Sequence, residues 1–229
     1  MTMPRWRRYI LFVLVTGLLF PVNNLTATTP MPTIELPAPH TEGGDNLNSL
    51  LQQRRSRRHF GSGPITLAQL SQLLWSAQGV TEQSGLRTAP SAGALYPLEI
   101  YVIAGQVIDL EAGLYHYRVK THSLTRIDSA DFRQPLTQAA LGQDVIKEAA
   151  AIIAITGDYS RTQRKYGARA RRYVHIEVGH VAQNIYLQTT ALKLATVIVG
   201  AFEDHKVHQV LQLEKTLTPL ALLPIARQP

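Results

Sequence analysis

The chain has 229 residues, no cysteine, an apolar fraction of 45% and a formal charge of +7. That length and composition suit one globular domain with a core of its own. The lack of cysteine excludes disulfides, thiolate metal sites, iron–sulfur clusters, thiol nucleophiles and a lipoprotein anchor. Arg5, Arg7 and Arg8 supply three of the charges and leave +4 for residues 28–229. Without clustering along a face this is too little to predict nucleic acid as a partner, and a modest anionic ligand fits it better.

At the N-terminus, the three arginines precede an apolar run at 10–20 and then the small and polar Leu25-Thr26-Ala27. This is the pattern of an export signal over residues 1–27, cleaved near Ala27. The run is shorter than the ~20 apolar residues of a membrane span, so export is expected, with an uncleaved membrane anchor through residues 10–20 as the other form. Arg7-Arg8-Tyr9-Ile10-Leu11 resembles a twin-arginine signal, although paired arginines also occur in any basic signal n-region. Residues 28–45 hold Pro30, Pro32, Pro37, Pro39, Gly43 and Gly44, the composition of a linker. The folded domain is therefore expected over 46–229.

Within it, Thr66 with Gln69 three residues on is a capping-box pair, Leu67, Leu70, Leu74 and Ala77 recur at helical spacing, and Gly79 supplies a stop. Residues 98–104, 114–119 and 123–127 are rich in aromatic and β-branched side chains and read as strands. A helix is expected over 131–141, and the apolar run 150–156 predicts a strand buried on both faces. The longest helical pattern covers 173–192, with Val174, Val178, Val181, Ile185 and Leu192 on one face. A strand at 196–199, a helix at 204–213 and a strand at 221–225 complete an α+β class with a mixed or antiparallel sheet.

Three stretches carry candidate chemistry. In Arg54-Arg55-Ser56-Arg57-Arg58-His59-Phe60, four guanidinium groups and a hydroxyl fall within five residues. Such forks suit a phosphate dianion, and a solvated basic turn would have the same composition. In Ala89-Pro90-Ser91-Ala92-Gly93-Ala94-Leu95-Tyr96-Pro97, small residues bracketed by prolines allow close backbone approach to a flat ligand; a plain loop entering a strand reads alike. Lys165-Tyr166 precedes Tyr173, His175, Glu177, Gly179 and His180. A tyrosine beside a cation could take a proton, while the spacing by itself favours a polar, Arg-rich helix start exposed to water.

Other chemistries find less support. His175-Ile176-Glu177 lacks the cysteine pair of a zinc deaminase, and His175 and His180, five apart, miss the spacing of a helical zinc pair. His205 and His208 have no third ligand in view, so no metal is expected. There is no Gly-x-Gly-x-x-Gly, Walker loop or Gly-x-Ser-x-Gly elbow.

Taken together and in order, Arg54-Arg55-Ser56-x-Arg58-x-Phe60, Pro90-Ser91-Ala92-Gly93-Ala94-Leu95-Tyr96-Pro97, and Lys165-Tyr166-x-x-Arg169 followed by Tyr173-x-x-x-Glu177-x-Gly179-His180 and Gln183-Asn184 resemble the SagB-type (azoline) dehydrogenase branch of the nitroreductase family. The resemblance spans residues 50–227. It implies a nitroreductase-like α+β fold and an FMN-binding homodimer with each flavin held at the subunit interface. It implies that Arg54, Ser56 and Arg58, with Arg55 in the same cluster, hold the phosphate, and that Arg227 adds a further cation. Ser91, Ala92 and Gly93 would lie along the flavin, and the Val199-Gly200-Ala201 turn would pack over the ring. Lys165 and Tyr166 match the branch's proton-abstracting pair, Tyr166 as base and Lys165 as its electrostatic partner. The expected substrate is a small molecule or a peptide. The competing readings are a non-catalytic flavin- or anion-binding protein of the same fold and a basic membrane-associated interaction protein, which would be colourless when pure.

Overall fold

The computed structural model describes residues 31–229. The expected signal or anchor segment, and residues 28–30, lie outside the described residues. In chain order the elements are β1 (Thr33–Glu35), α1 (Leu47–Gln53), β2 (Ile65–Thr66), α2 (Leu67–Gln78), β3 (Leu98–Ala104) and β4 (Val107–Ile108). Then follow β5 (Gly113–Arg118), β6 (Ser123–Asp128), α3 (Arg133–Ala139), α4 (Asp144–Lys147), β7 (Ala151–Gly157) and α5 (Tyr159–Tyr166). The long α6 (Ala170–Ala191), β8 (Leu194–Thr196), α7 (Asp204–Val210) and β9 (Thr218–Arg227) close the chain.

Seven strands form one sheet in the order β1-β6-β5-β3-β7-β9-β8, with every neighbour antiparallel. The short β2 and β4 make a separate parallel pair. Apolar side chains leave both faces of the sheet, which explains the unbroken apolar runs. From β7, Ile153 and Ile155 enter a core under α2 and α6, where Leu70, Leu74, Val174, Val181 and Ile185 pack. Ile152 and Ala154 enter a second core with Leu136 of α3, Ile146 of α4 and Val207 of α7. Each such isoleucine, fully buried, contributes about 1.5–3 kcal/mol, so the sheet holds the two helical layers mainly through β3, β7 and β9.

Local signals place several elements as expected. Thr66 accepts from the Gln69 amide while the Gln69 side chain accepts from the Thr66 amide, closing the capping box that starts α2. The polar start expected for the long helix instead becomes a helix of its own, α5, capped by Asp158 and ended at Gly167, whose φ of +54° breaks the run.

The expected linker differs more. β1 pairs with β6, Leu36 is buried in the first core, and His40 and Gln72 exchange hydrogen bonds of 2.8 and 3.1 Å. The folded domain thus begins ahead of residue 46. Pro32 and Pro37 do not prevent this, because an edge strand needs donors on one side only, and Thr33-Ile34-Glu35 lies between them.

The strand expected over 196–199 ends at Thr196, with only an isolated bridge at Val199. Leu222 exchanges two hydrogen bonds with Val199, so alternate residues of β9 face this side, and Pro224 falls there with no N–H to offer. The Ile198 amide turns away and donates to the Tyr186 hydroxyl at 2.8 Å. Residues 197 and 198 therefore leave the ladder, which β8 does not extend, and pairing returns only as the bridge at Val199.

Candidate active site

The arginine stretch follows α1 and is pinned to the sheet margin at both ends. The Arg57 amide donates to the Thr196 carbonyl at 2.9 Å and the Gly61 amide to the Arg227 carbonyl at 2.9 Å. This brings the first motif beside the end of β9, and a methyl group built on Gly63 would sit 3.5 Å from the Arg227 side chain. Ser56 is anchored by a 3.0 Å hydrogen bond to the Tyr186 hydroxyl, and the Arg54 guanidinium stacks 5.2 Å over the same ring. One phenol of α6 thus ties Ser56, Arg54 and the 197–201 loop together.

Arg58 shares a cavity of about 350 Å³ with Val197, Ile198, Val199, Gly200 and Ala201. Among the described residues, Arg54, Arg58 and Arg227 have no carboxylate within 4.0 Å. Arg55 is committed locally, donating to the Gln52 and Arg54 carbonyls, both at 2.8 Å, and so caps the end of α1 rather than joining the cavity.

The second and third motifs meet directly. Gly93 has φ +64°, and a methyl group built on it would lie 2.9 Å from the Tyr166 hydroxyl and 3.0 Å from Lys165 Nζ. Glycine is needed there both for the left-handed backbone and for the approach of these two side chains. The Lys165 ammonium sits 5.6 Å from the centre of the Tyr166 ring, and Tyr173 packs edge-on against it at 4.8 Å. Ala94 and Tyr96 are also left-handed, at φ +52° and +45°. The Ser91 hydroxyl accepts from the Tyr96 amide at 2.9 Å, and Arg87 stacks 4.2 Å over the Tyr96 ring.

The arginine cluster and the Lys165–Tyr166 pair lie at opposite ends of α6. Tyr173 and Tyr186 are about 20 Å apart along the helix axis at its normal rise. Within one chain the structure thus assembles two separate groups of side chains, one cationic and one formed by Lys165 and Tyr166 against Gly93.

Beneath the second of them, Glu177 is 2% exposed and takes a 3.4 Å hydrogen bond from Gln78, whose carbonyl oxygen accepts from Arg87 at 2.9 Å. Burial pushes the Glu177 carboxyl up, against the hydrogen bonds from Ser91 and Gln78 and the charges of Arg87 and His180. Burial likewise lowers the Arg87 guanidinium. Further out, burial would raise Glu99, yet hydrogen bonds from His116 at 2.9 Å and Arg161, with their charges, hold it below the usual carboxylate range. His175 is bonded to Tyr159 at 2.7 Å, and among the described residues no group of three side chains could hold a metal ion.

Sequence reasoning overlooked Tyr186, Gln78 and Arg87. Tyr186 looks like an ordinary core aromatic in the helical pattern, and only its hydroxyl, which must find partners when buried, could have drawn attention to it.

An antiparallel sheet covered on both faces carries at its margin arginines with no carboxylate within 4.0 Å among the described residues, and at the other end of α6 a Lys–Tyr pair against a glycine turn. The nitroreductase family model matches residues 51–227. A protein of Methanocaldococcus jannaschii named as a nitroreductase is 45% identical over 196 residues, 86% of this chain and 98% of the relative. A crystal structure described as that of a nitroreductase from Ralstonia eutropha superposes with a TM-score of 0.76 at 28% identity, covering 94% of this chain and 97% of the other. The trifolitoxin-processing protein TfxB of Rhizobium leguminosarum bv. trifolii is 29% identical over 133 residues, 56% of this chain and 36% of the relative.

The chain belongs to the nitroreductase family, a family of oxidoreductases that are generally flavin-dependent. Its own residues fit such a group. The unpaired Arg54, Arg58 and Arg227 with the Ser56 hydroxyl are the donors a phosphate requires, and a methyl group built on the exposed Gly200 would meet nothing within 4 Å.

Proposed function

We propose that this protein is an FMN-dependent oxidoreductase of the SagB-type dehydrogenase kind, acting as a homodimer on a small-molecule or peptide substrate, with Lys165 and Tyr166 handling the proton. The observation that carries this reading is the approach of Lys165 and Tyr166 to Gly93, since a protein that only stored a flavin has no need of a base at the glycine turn. The likeness to TfxB, whose name refers to processing of trifolitoxin, supports the branch and the peptide option.

FMN, when bound, supplies the two-electron acceptor or donor at its N5 position. Arg54, Ser56, Arg58 and Arg227 would hold its phosphate, and Gly93, Gly200 and Ala201 would line its ring. Tyr166 would take the proton that accompanies hydride transfer as its phenolate, becoming the phenol, and would return it in the reverse direction. Lys165, 5.6 Å from the centre of the Tyr166 ring, is the cation beside it. Two subunits give a reason for the separation of the half-sites along α6, each chain supplying one to a shared cofactor. Leu47 and Leu51, 59% and 49% exposed on the otherwise unburied α1, and Ile176, 47% exposed on α6, are apolar surface for such a contact. The basic N-terminal residues and the apolar run support export.

The test is the visible spectrum of purified protein and the identity of what denaturation releases. FMN at about one equivalent per chain is expected, and Arg54→Ala with Arg58→Ala should abolish its retention. A colourless protein that takes up no added FMN would overturn the reading.

A further inference from the structure

The turn that carries Gly93 is strained. Ala94 and Tyr96 hold left-handed backbone, which side-chain-bearing residues adopt at a cost of about 1–2 kcal/mol each. Such a turn persists only when its surroundings over-determine it. What surrounds it is one face of α6. Asn184 Nδ2 donates to the Thr88 carbonyl at 3.4 Å and to the Ser76 carbonyl at 2.9 Å. One turn earlier, His180 Nδ1 lies 3.3 Å from the Pro90 carbonyl. One turn earlier again, Glu177 faces the Ser91 side chain. Residues 177, 180 and 184 share a helical face, so three successive turns of α6 grip three successive parts of the segment 88–91.

Glu177 is the innermost of these contacts, and the site chemistry leaves it unused. A buried carboxyl is costly unless hydrogen-bonded. Its neighbours are the hydroxyl of Ser91, the amide of Gln78 and, through Gln78, the guanidinium of Arg87. Ser91 in turn holds the Ala94 amide by its carbonyl at 3.0 Å and the Tyr96 amide by its hydroxyl, the two left-handed positions that follow Gly93.

We propose that Glu177 is a positioning residue: seated beneath Ser91, it holds the strained turn 91–96 at the height where Gly93 meets Lys165 and Tyr166. The functional consequence rests on the reading of residues 91–93 as flavin-lining; the structural claim does not. Glutamine keeps the length and the acceptor oxygen that Gln78 meets, so it should replace Glu177 and alanine should not.

The experiment is amide hydrogen exchange on the purified full-length wild-type protein and on Glu177→Gln and Glu177→Ala, with FMN dissociation constants measured alongside. In Glu177→Ala the amides of Ala94 and Tyr96 should exchange about tenfold faster or more, while those of β3 and β7 keep their protection. FMN should bind about tenfold more weakly, and Glu177→Gln should restore both readings to near wild type. Should Glu177→Ala fail to fold, Glu177→Asp withdraws the carboxyl by one methylene while leaving the Ser91–Tyr96 bond in place, and should show the same local acceleration. Unchanged exchange at 94 and 96, acceleration spread evenly over β3 and β7, or a glutamine variant as fast as alanine would each overturn the proposal. A wild-type protein without flavin would sink the cofactor reading and leave the exchange data to decide this one.

Discussion

Tyr186 offers the sharpest test of how the cationic half-site is built. Replacing it by phenylalanine leaves the ring, and with it the packing in the core and the Arg54 stack at 5.2 Å, and removes one hydroxyl. That hydroxyl accepts from the Ile198 amide at 2.8 Å and pairs with Ser56 Oγ at 3.0 Å. Two hydrogen bonds at about 1 kcal/mol each put the loss near 2 kcal/mol. The two positions differ in what replaces the bond. Ile198 is 41% exposed and Ser56 is also exposed, so water can reach both, and a loss of about 1 kcal/mol is the better expectation. The larger effect falls on the ligand, since Ser56 and the 197–201 loop are released together. Urea denaturation of the flavin-free protein reads the first quantity and FMN titration the second. We expect a stability loss of about 1 kcal/mol, an FMN affinity reduced about tenfold, and a double-mutant cycle with Ser56→Ala showing at least about 0.5 kcal/mol of coupling. Additive effects of the two substitutions on FMN binding would refute the idea that Tyr186 acts through Ser56.

Tyr166→Phe should retain the flavin spectrum and lose turnover by about 10²–10⁴-fold, the usual share of a proton-transferring group; single-turnover flavin reduction by a true substrate reads it, and undiminished reduction would exclude Tyr166 as the base. Gly93→Ala should cost about 1–2 kcal/mol for the left-handed backbone and more in activity than in stability, because the new methyl displaces the flexible ends of Lys165 and Tyr166; thermal melts and turnover compared side by side decide it. The raised Glu177 carboxyl gives a pH dependence with a definite sign. The folded state favours its protonated form, so that contribution to stability is full below the unfolded pKa of about 4.3 and is lost as pH rises through the higher folded value. Glu177→Gln should therefore match wild type near pH 4 and exceed it in stability at pH 8, and denaturation at the two pH values with an unchanged difference would contradict a carboxyl raised by burial.

Much of the fold is legible in short-range pattern. The Thr66–Gln69 pair and Gly79 mark both ends of α2 because capping is satisfied within a few residues. The apolar run 150–156 and the helical spacing of Val174, Val178, Val181 and Ile185 report burial on two faces and on one face. The three motifs also name the residues that could bind an anion and move a proton, since guanidinium forks, small residues and a Lys–Tyr neighbour carry those properties wherever they are placed. Thr33-Ile34-Glu35 was hidden by its prolines, since composition cannot tell a tether from an edge strand that needs donors on one side only.

Only the tertiary structure decided which of these groups meet. Pro224 interrupts a ladder with residues some 25 positions earlier in the chain, and that distant absence of an N–H is what ends β8 at Thr196 and leaves the Ile198 amide to the Tyr186 hydroxyl. Tyr186 becomes a site residue because β8 and the arginine stretch converge on its hydroxyl. Glu177 lies under Ser91, and Lys165 and Tyr166 against Gly93, because α6 crosses the 88–96 segment. Sequence spacing encodes contacts made within a helical turn or across a strand pleat; contacts between segments 70 to 130 residues apart depend on strand order and helix crossing, which no local pattern specifies.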